Sequence, residues 1–323
     1  MKDIILIGSE GFTGQYTKDS LIKLNYSVLS VDQFNINESN FIRCDIRNKN
    51  EVRKLPIGGN TIVINLAARQ YHENVPKRKD RKVFFFETNY IGTKNLLEVM
   101  VEKQCKNLIY FTTDMVYGKP QNIPVNEEHV RKPFGPYGIS KVNSENLCDE
   151  YREKEHINIT IFRPRMIMGP GRIGVLKKLF RLIELNLPVP MIGNGENYYQ
   201  MIAVFDCVQA IKRAIEKNIP NENFNLGSKN PPSVKNLLKR LISEVNSKSV
   251  LLPIPGKLVK YVLNILDIIN IPIMYPEQFM IADENYLLDI NKAKKILEWE
   301  PQYSDQDMIV QAYQYYKNGK KKI

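Results

Sequence analysis

A chain of 323 residues that is 43% hydrophobic and 25% charged has the composition of a soluble globular protein and length for about two domains, which excludes a disordered or fibrous chain. Its apolar runs are too short or too interrupted to span a bilayer, and Met1-Lys2-Asp3 passes directly into an apolar strand with no room for a signal peptide, so the expected location is the cytoplasm. The formal charge of +11 would suit nucleic acid, a membrane surface or an anionic substrate. Most lysines fall singly on predicted helix faces, and the clusters Lys77–Lys82 and Lys320–Lys322 lack an aromatic-basic interleave, so no nucleic-acid partner is expected. Cys44, Cys105, Cys148 and Cys207 form no CxxC pair and the histidines are scattered, so neither a disulfide framework nor a metal site is expected.

The first apolar run, Ile4–Ile7, has strand length and feeds Gly8-Ser-Glu-Gly11-Phe-Thr-Gly14, which opens a helix from Thr13 to Leu24. Glycines allow a tight turn and close backbone approach, while the helix start offers unpaired N–H groups and partial positive charge, a setting for a dinucleotide pyrophosphate. A second strand, Tyr26–Val31, ends at Asp32, about 20 residues beyond the loop, where a carboxylate would accept both hydroxyls of an unmodified ribose and repel a 2′-phosphate. That position favours NAD over NADP, although a turn or capping role for Asp32 is the simpler alternative. Further strands follow at Phe41–Ile46, Thr61–Ala68 and Asn107–Thr113, alternating with helical stretches at 48–55 and 89–103. Such alternation predicts a parallel α/β sheet whose carboxyl edge is the ligand side, and Thr113 brings a hydroxyl to that edge.

After Pro133-Phe-Gly-Pro136, the run Tyr137-Gly-Ile-Ser-Lys141 opens another helix. Tyr137 and Lys141 lie one turn apart on one face, and an ammonium beside a phenol favours phenolate, which would make Tyr137 a usable base near neutral pH. Alone, such a pair is ordinary helix surface. Set against the glycine loop and Thr113, it reads as chemistry. Later, Leu258–Ile269 is unusually apolar; a core helix is the expectation, with a dimer surface or membrane-proximal patch beside Lys257 and Lys260 as the alternative.

Together these motifs resemble the extended short-chain dehydrogenase/reductase superfamily, specifically its NAD-dependent nucleotide-sugar epimerase/dehydratase branch, from Lys2 to about Tyr316. The resemblance implies a Rossmann-type doubly wound sheet over residues 1–166 with a return near 200–227, and a smaller α/β substrate domain over 167–323. It implies that Gly8, Gly11, Phe12, Thr13 and Gly14 cradle the pyrophosphate, that Asp32 binds the ribose, that Asp45 and Ile46 flank the adenine, and that Leu66, Ala67 and Ala68 line the cofactor channel. Asn89 would support that site, Thr113, Tyr137 and Lys141 would be catalytic, with Tyr137 and Lys141 also meeting the cofactor, and a homodimer would form through the helices at 89–103 and 137–154.

Two departures narrow the activity. Sugar 4,6-dehydratases of the family follow the catalytic threonine with Asp and Glu, and this chain has Asp114 and Met115, whose thioether cannot take a proton. Met166 and Tyr199 stand where many members carry Asn and Arg for the sugar diphosphate, leaving Arg165, Arg172, Lys177 or Lys178 as candidate sources of positive charge, while the basic, aromatic stretch Tyr71–Phe86 replaces the usual loop. The expected activity is 4-epimerisation of a UDP-linked hexose. The alternatives are a nucleotide-sugar reductase or dehydrogenase, a 3β-hydroxysteroid-dehydrogenase-like oxidoreductase, and a noncatalytic NAD-binding scaffold.

Overall fold

Period-two patterning explains the sheet. Ile4 and Leu6 of β1 (Ile4–Ile7) enter one core, and Ile5 and Ile7 enter the core on the opposite face. A strand apolar on both sides has to be covered on both sides, which is the condition of a parallel sheet. In the computed structural model, which describes residues 3–71, 75–172, 174 and 176–319, β1 is followed by β2 (Val28–Asp32), β3 (Phe41–Arg43), β4 (Ile62–Asn65), β5 (Asn107–Phe111) and β6 (Asn158–Pro164). With β10 (Asn223–Leu226) they form a seven-stranded sheet in the order β10-β6-β5-β4-β1-β2-β3, and every recorded pairing is parallel. The order reverses between β1 and β4, so the crevice at their carboxyl ends is the switch point where such sheets bind ligands. The Lys320–Lys322 cluster and residues 72–74 of the Tyr71–Phe86 stretch lie outside the described residues.

One face of the sheet is covered by α1 (Phe12–Lys23), α7 (Val204–Glu216) and α11 (Asn291–Leu297), which supply Leu21, Ile211 and Leu297 to one core. The other is covered by α2 (Lys49–Arg53), α4 (Thr93–Glu102) and α5 (Pro136–Glu155), through Val52, Leu96 and Leu147. All four cysteines are buried and free. Beyond the sheet, β7 (Met166–Met168), α6 (Leu176–Glu184), β8 (Val189–Ile192), β9 (Met201–Ala203), α8 (Val234–Glu244), β11 (Leu251–Ile254) and α12 (Asp305–Gly319) enclose a separate core around Phe180, Leu241 and Tyr313. Among the described residues no helix is long and apolar enough to cross a membrane.

The apolar helix expected in the core is not there. In α9 (Gly256–Ile268) only Leu263 and Asp267 are buried. Leu258, Tyr261, Val262, Ile265 and Ile268 stand 40–67% exposed. The reason is position: α9 sits at the rim and meets neighbours through a single stripe, so an almost uniformly apolar sequence is only half covered.

Candidate active site

The loop after β1 is shaped by backbone crowding. Gly8 has φ +80°, and a Cβ there would lie 2.6 Å from the Ala67 nitrogen in the segment after β4. A Cβ on Gly14 would lie 2.0 Å from the Gly8 carbonyl oxygen. Both positions therefore require glycine. The loop turns tightly enough to place Gly11 ahead of α1, and no side chain caps that helix. The N–H groups of Phe12 and Thr13 thus head a helix without a side-chain acceptor, the arrangement that receives a phosphate. Leu66, Ala67 and Ala68, all partly exposed, form the facing wall, held by a hydrogen bond from the Ala67 N–H to Asn65 Oδ1 (3.1 Å).

Asp32 ends β2 with one carboxylate oxygen accepting from the Glu10 N–H (3.1 Å) and the other from the Gln33 N–H (2.7 Å). Each oxygen keeps acceptor capacity for a ribose hydroxyl. Asp45 is gripped by Arg47 through both oxygens (2.6–3.0 Å), and this pairing holds its carboxyl below the usual range. Ile46 is buried against Gly92, where a Cβ would come within 2.6 Å of it. Asn89 is buried and its amide is fully engaged, accepting from the Arg69 N–H (2.9 Å) and donating to the Arg69 carbonyl (3.1 Å) and Ser140 Oγ (2.9 Å). It clamps the wall segment to α5. Residues Glu87–Gly92 around it form a π-helical turn, and the Asn89 carbonyl accepts from Ser144 Oγ (2.6 Å) and Thr93 Oγ1 (2.8 Å).

The glycine cradle, the anchored carboxylate of Asp32 and a buried Asn65 Nδ2 without a partner together fit a dinucleotide. Next to this crevice Thr113, just past β5, and Tyr137, in the first turn of α5, bring their hydroxyls together, and Thr113 Oγ1 donates to Asp114 Oδ1 (3.3 Å). Lys141 does not reach the phenol. Its Nζ donates to the Phe111 carbonyl (3.0 Å) and Tyr110 Oη (3.2 Å), and burial lowers its pKa to about 7. The expectation that Lys141 makes Tyr137 a phenolate near neutral pH is therefore corrected. Burial raises the phenol above its ordinary value, Thr113 pulls it down, Glu277 and Asp114 push it up and Arg172 pulls it down.

One buried acid here has no sequence signature. Glu277, from α10 (Pro276–Phe279), is 1% exposed and reaches across to the start of α5. One of its oxygens accepts from Tyr71 Oη (2.6 Å) and the Tyr137 N–H (3.1 Å), the other from the Gly138 N–H (3.0 Å). A carboxylate at the positive end of a helix is well placed electrostatically, although burial raises its pKa. Nothing 140 residues upstream marks this partner. Asp114, beside Thr113, is buried in an ion pair with Arg165, whose guanidinium is sandwiched between the rings of Tyr199 (4.1 Å) and Tyr286 (3.9 Å). Arg172 donates to Gln70 Oε1 (3.2 Å) and lies over the Phe12 ring. Among the candidate cations for substrate charge, Arg172 acts electrostatically on Tyr137, Arg165 is committed to Asp114, and Lys178 points to the Ile273 carbonyl (3.5 Å).

The sequence model of the NAD dependent epimerase/dehydratase family matches residues 4–227. The chain is 28% identical over 276 residues to the N-acetyl-alpha-D-glucosaminyl-diphospho-ditrans,octacis-undecaprenol 4-epimerase of Escherichia coli O157:H7, covering 82% of this chain and 80% of that one. It is 27% identical over 269 residues to the human dTDP-D-glucose 4,6-dehydratase, covering 77% and 76%. Among solved structures, the UDP-glucose 4-epimerase of Thermotoga maritima with UDP-glucose superposes with a TM-score of 0.79 at 25% identity, over 98% of this chain and 99% of that one.

Proposed function

The chain belongs to the NAD-dependent epimerase/dehydratase family, and from that premise we propose that it inverts C4 of a diphospho-linked hexose, a UDP-hexose first among them, through a transient 4-keto sugar. The observation that carries this reading is the meeting of Thr113 and Tyr137 at the sheet edge, beside a Met115 that cannot act as a base and an Asp114 tied to Arg165. A dehydratase needs both of those positions as free acid and base. In this chain one is a thioether and the other would have to break a buried ion pair to move a proton.

NAD, when bound, supplies reversible hydride acceptance. Gly8, Gly11, Phe12, Thr13 and Gly14 would hold its pyrophosphate, Asp32 its ribose, Asp45 and Ile46 its adenine, and Leu66, Ala67 and Ala68 its channel. Asn89 acts behind them by fixing the wall. Tyr137 takes the proton of the C4 hydroxyl and returns it at the end, Thr113 orients that hydroxyl, and Lys141 holds the nicotinamide ribose. Because burial favours the protonated phenol, turnover rises with pH over the range where Tyr137 loses its proton. Hydrogen leaves one face of C4 and returns to the other, so net redox is zero. A reductase or dehydrogenase would instead accumulate a changed cofactor, and a scaffold would have no use for the Tyr137–Thr113 pair. A homodimer through α4 and α5, in the cytoplasm, belongs to the same proposal.

A second reading, in which the sugar diphosphate is carried by a polyprenyl lipid, is supported by Met166 and by Tyr199, which packs on Arg165 where many relatives clamp a nucleotide. The test is to supply NAD with UDP-glucose, UDP-N-acetylglucosamine and a short-chain polyprenyl-diphospho-N-acetylhexosamine, and to follow C4 inversion by NMR and absorbance at 340 nm. Inversion without net NADH, lost about 100-fold or more in Tyr137→Phe with NAD binding retained, is expected. Stoichiometric NADH, or water loss to a 6-deoxy-4-keto sugar, overturns the epimerase reading.

A further inference from the structure

We infer that the exposed face of α9, with the basic turn at Lys77–Lys82 beside it, docks this protein on an anionic membrane surface. Leu258, Tyr261, Val262, Ile265, Ile268 and Ile269 recur at spacings of three and four, so they share one side of the helix. Each is at least 40% exposed, and the apolar surface continues through Ile271 and Ile273 at 62% and 49%. An isolated exposed apolar residue needs no explanation, but a contiguous set of this kind marks a contact surface. The sole acid between Gly256 and Ile273 is Asp267, and it is buried in an ion pair with Arg81 at 2.7 Å. The helix thus contributes no exposed acid of its own, and the carboxylates nearest it, Asp283 and Glu284, lie at its amino end, where Asp283 pairs with Lys260 (2.5 Å).

Charge chooses the occupant. Lys77, Arg78 and Lys79 are exposed, and with Asn270 they line an open cleft at the carboxyl end of α9. The Arg78 N–H bonds Asn270 Oδ1 (3.0 Å), which fastens this turn to the end of the helix. None of the three cations has a carboxylate partner among the described residues; Lys82 adds exposed charge to the same turn against Asp80, and Lys257 adds exposed charge at the other end of α9. An apolar stripe bordered by unpaired cations fits a bilayer rich in anionic headgroups, with the side chains entering the acyl boundary and the cleft receiving phosphate. Two copies meeting on this face would bring their like-charged clusters together. At 13 residues the helix is about 20 Å long, too short to cross a bilayer and suited to lying in its plane.

The face is also joined to the active site. Arg81 pairs with Asp267 and stacks over Tyr275 (4.8 Å), Tyr275 stacks on Tyr71 (4.3 Å), and Tyr71 packs edge-on against Tyr137 (5.9 Å). Docking through α9 therefore sets the orientation of the catalytic pocket relative to the surface, as a lipid-carried sugar would require. The inference goes beyond the epimerase proposal and does not need it, because vesicle binding is read without turnover.

The test is flotation of the full-length protein with vesicles of phosphatidylethanolamine and phosphatidylglycerol, beside vesicles of phosphatidylcholine alone. Binding to the anionic vesicles is expected, weakened by salt and about tenfold or more weaker to phosphatidylcholine. Tyr261→Ser/Ile265→Ser/Ile269→Ser and, separately, Lys77→Glu/Lys79→Glu should each reduce it about tenfold or more while NAD affinity and circular dichroism stay unchanged. The inference is overturned if the wild-type protein ignores anionic vesicles or if both variants bind as it does. It is equally overturned if light scattering shows the serine variant turning a dimer into a monomer while vesicle binding persists, which would make the face a contact between copies.

Discussion

Replacing Glu277 by alanine would test whether the two lobes are welded at the catalytic helix. The carboxylate accepts three hydrogen bonds, from Tyr71 Oη and the Tyr137 and Gly138 N–H groups, at 2.6, 3.1 and 3.0 Å. Its close approach depends on Gly135, where a Cβ would sit 2.4 Å from Glu277 Oε1. Truncation leaves two helix-start N–H groups and a phenol unpartnered in the interior, at about 1–3 kcal/mol each, partly offset by no longer burying a charge. The net loss expected is about 3–5 kcal/mol, a large share of the roughly 5–15 kcal/mol that holds a domain folded. Urea unfolding followed by circular dichroism measures it, and a loss below about 1 kcal/mol would refute the accounting. Glu277→Gln isolates the charge. Because the carboxylate raises the Tyr137 pKa, its neutral replacement should move the rising limb of turnover to lower pH, and an unmoved limb would mean that Glu277 acts on the helix alone.

Gly14→Ala puts a Cβ 2.0 Å from the Gly8 carbonyl oxygen; NAD affinity measured by calorimetry should fall about 100-fold or more, since the loop cannot keep its shape, and unchanged affinity would exclude this cradle as the pyrophosphate site. Lys141→Met addresses linkage. With the folded pKa depressed to about 7 from 10.5, the unfolded chain binds more protons between those values, so this group makes wild-type stability rise with pH from about 7 to 10.5. The variant should lose that slope and gain about 2–4 kcal/mol at pH 7 while losing activity, and parallel pH–stability curves for the two proteins would contradict the depressed pKa.

The sheet, its glycine turn and the placing of Thr113 and Tyr137 at one edge were legible in the chain because each depends on local rules. Apolar runs of strand length, glycines where a backbone crosses a backbone, and a one-turn spacing on a helix survive in one dimension. The electrostatics of the site did not. Lys141 spends its donors on Phe111 and Tyr110, Asp114 finds Arg165, and Glu277 closes over Tyr137 from α10, so the phenol rises where the spacing alone promised that it would fall. Asn89 likewise looks like a cofactor residue in sequence and becomes a clamp on Arg69 and Ser140 in space. For α9, composition announced an apolar helix but left open which side would be covered. Burial and charge pairing are sums over neighbours distant in sequence, and only tertiary packing decided them, within the first lobe for Lys141, Asn89 and Asp114 and between the two lobes for Glu277.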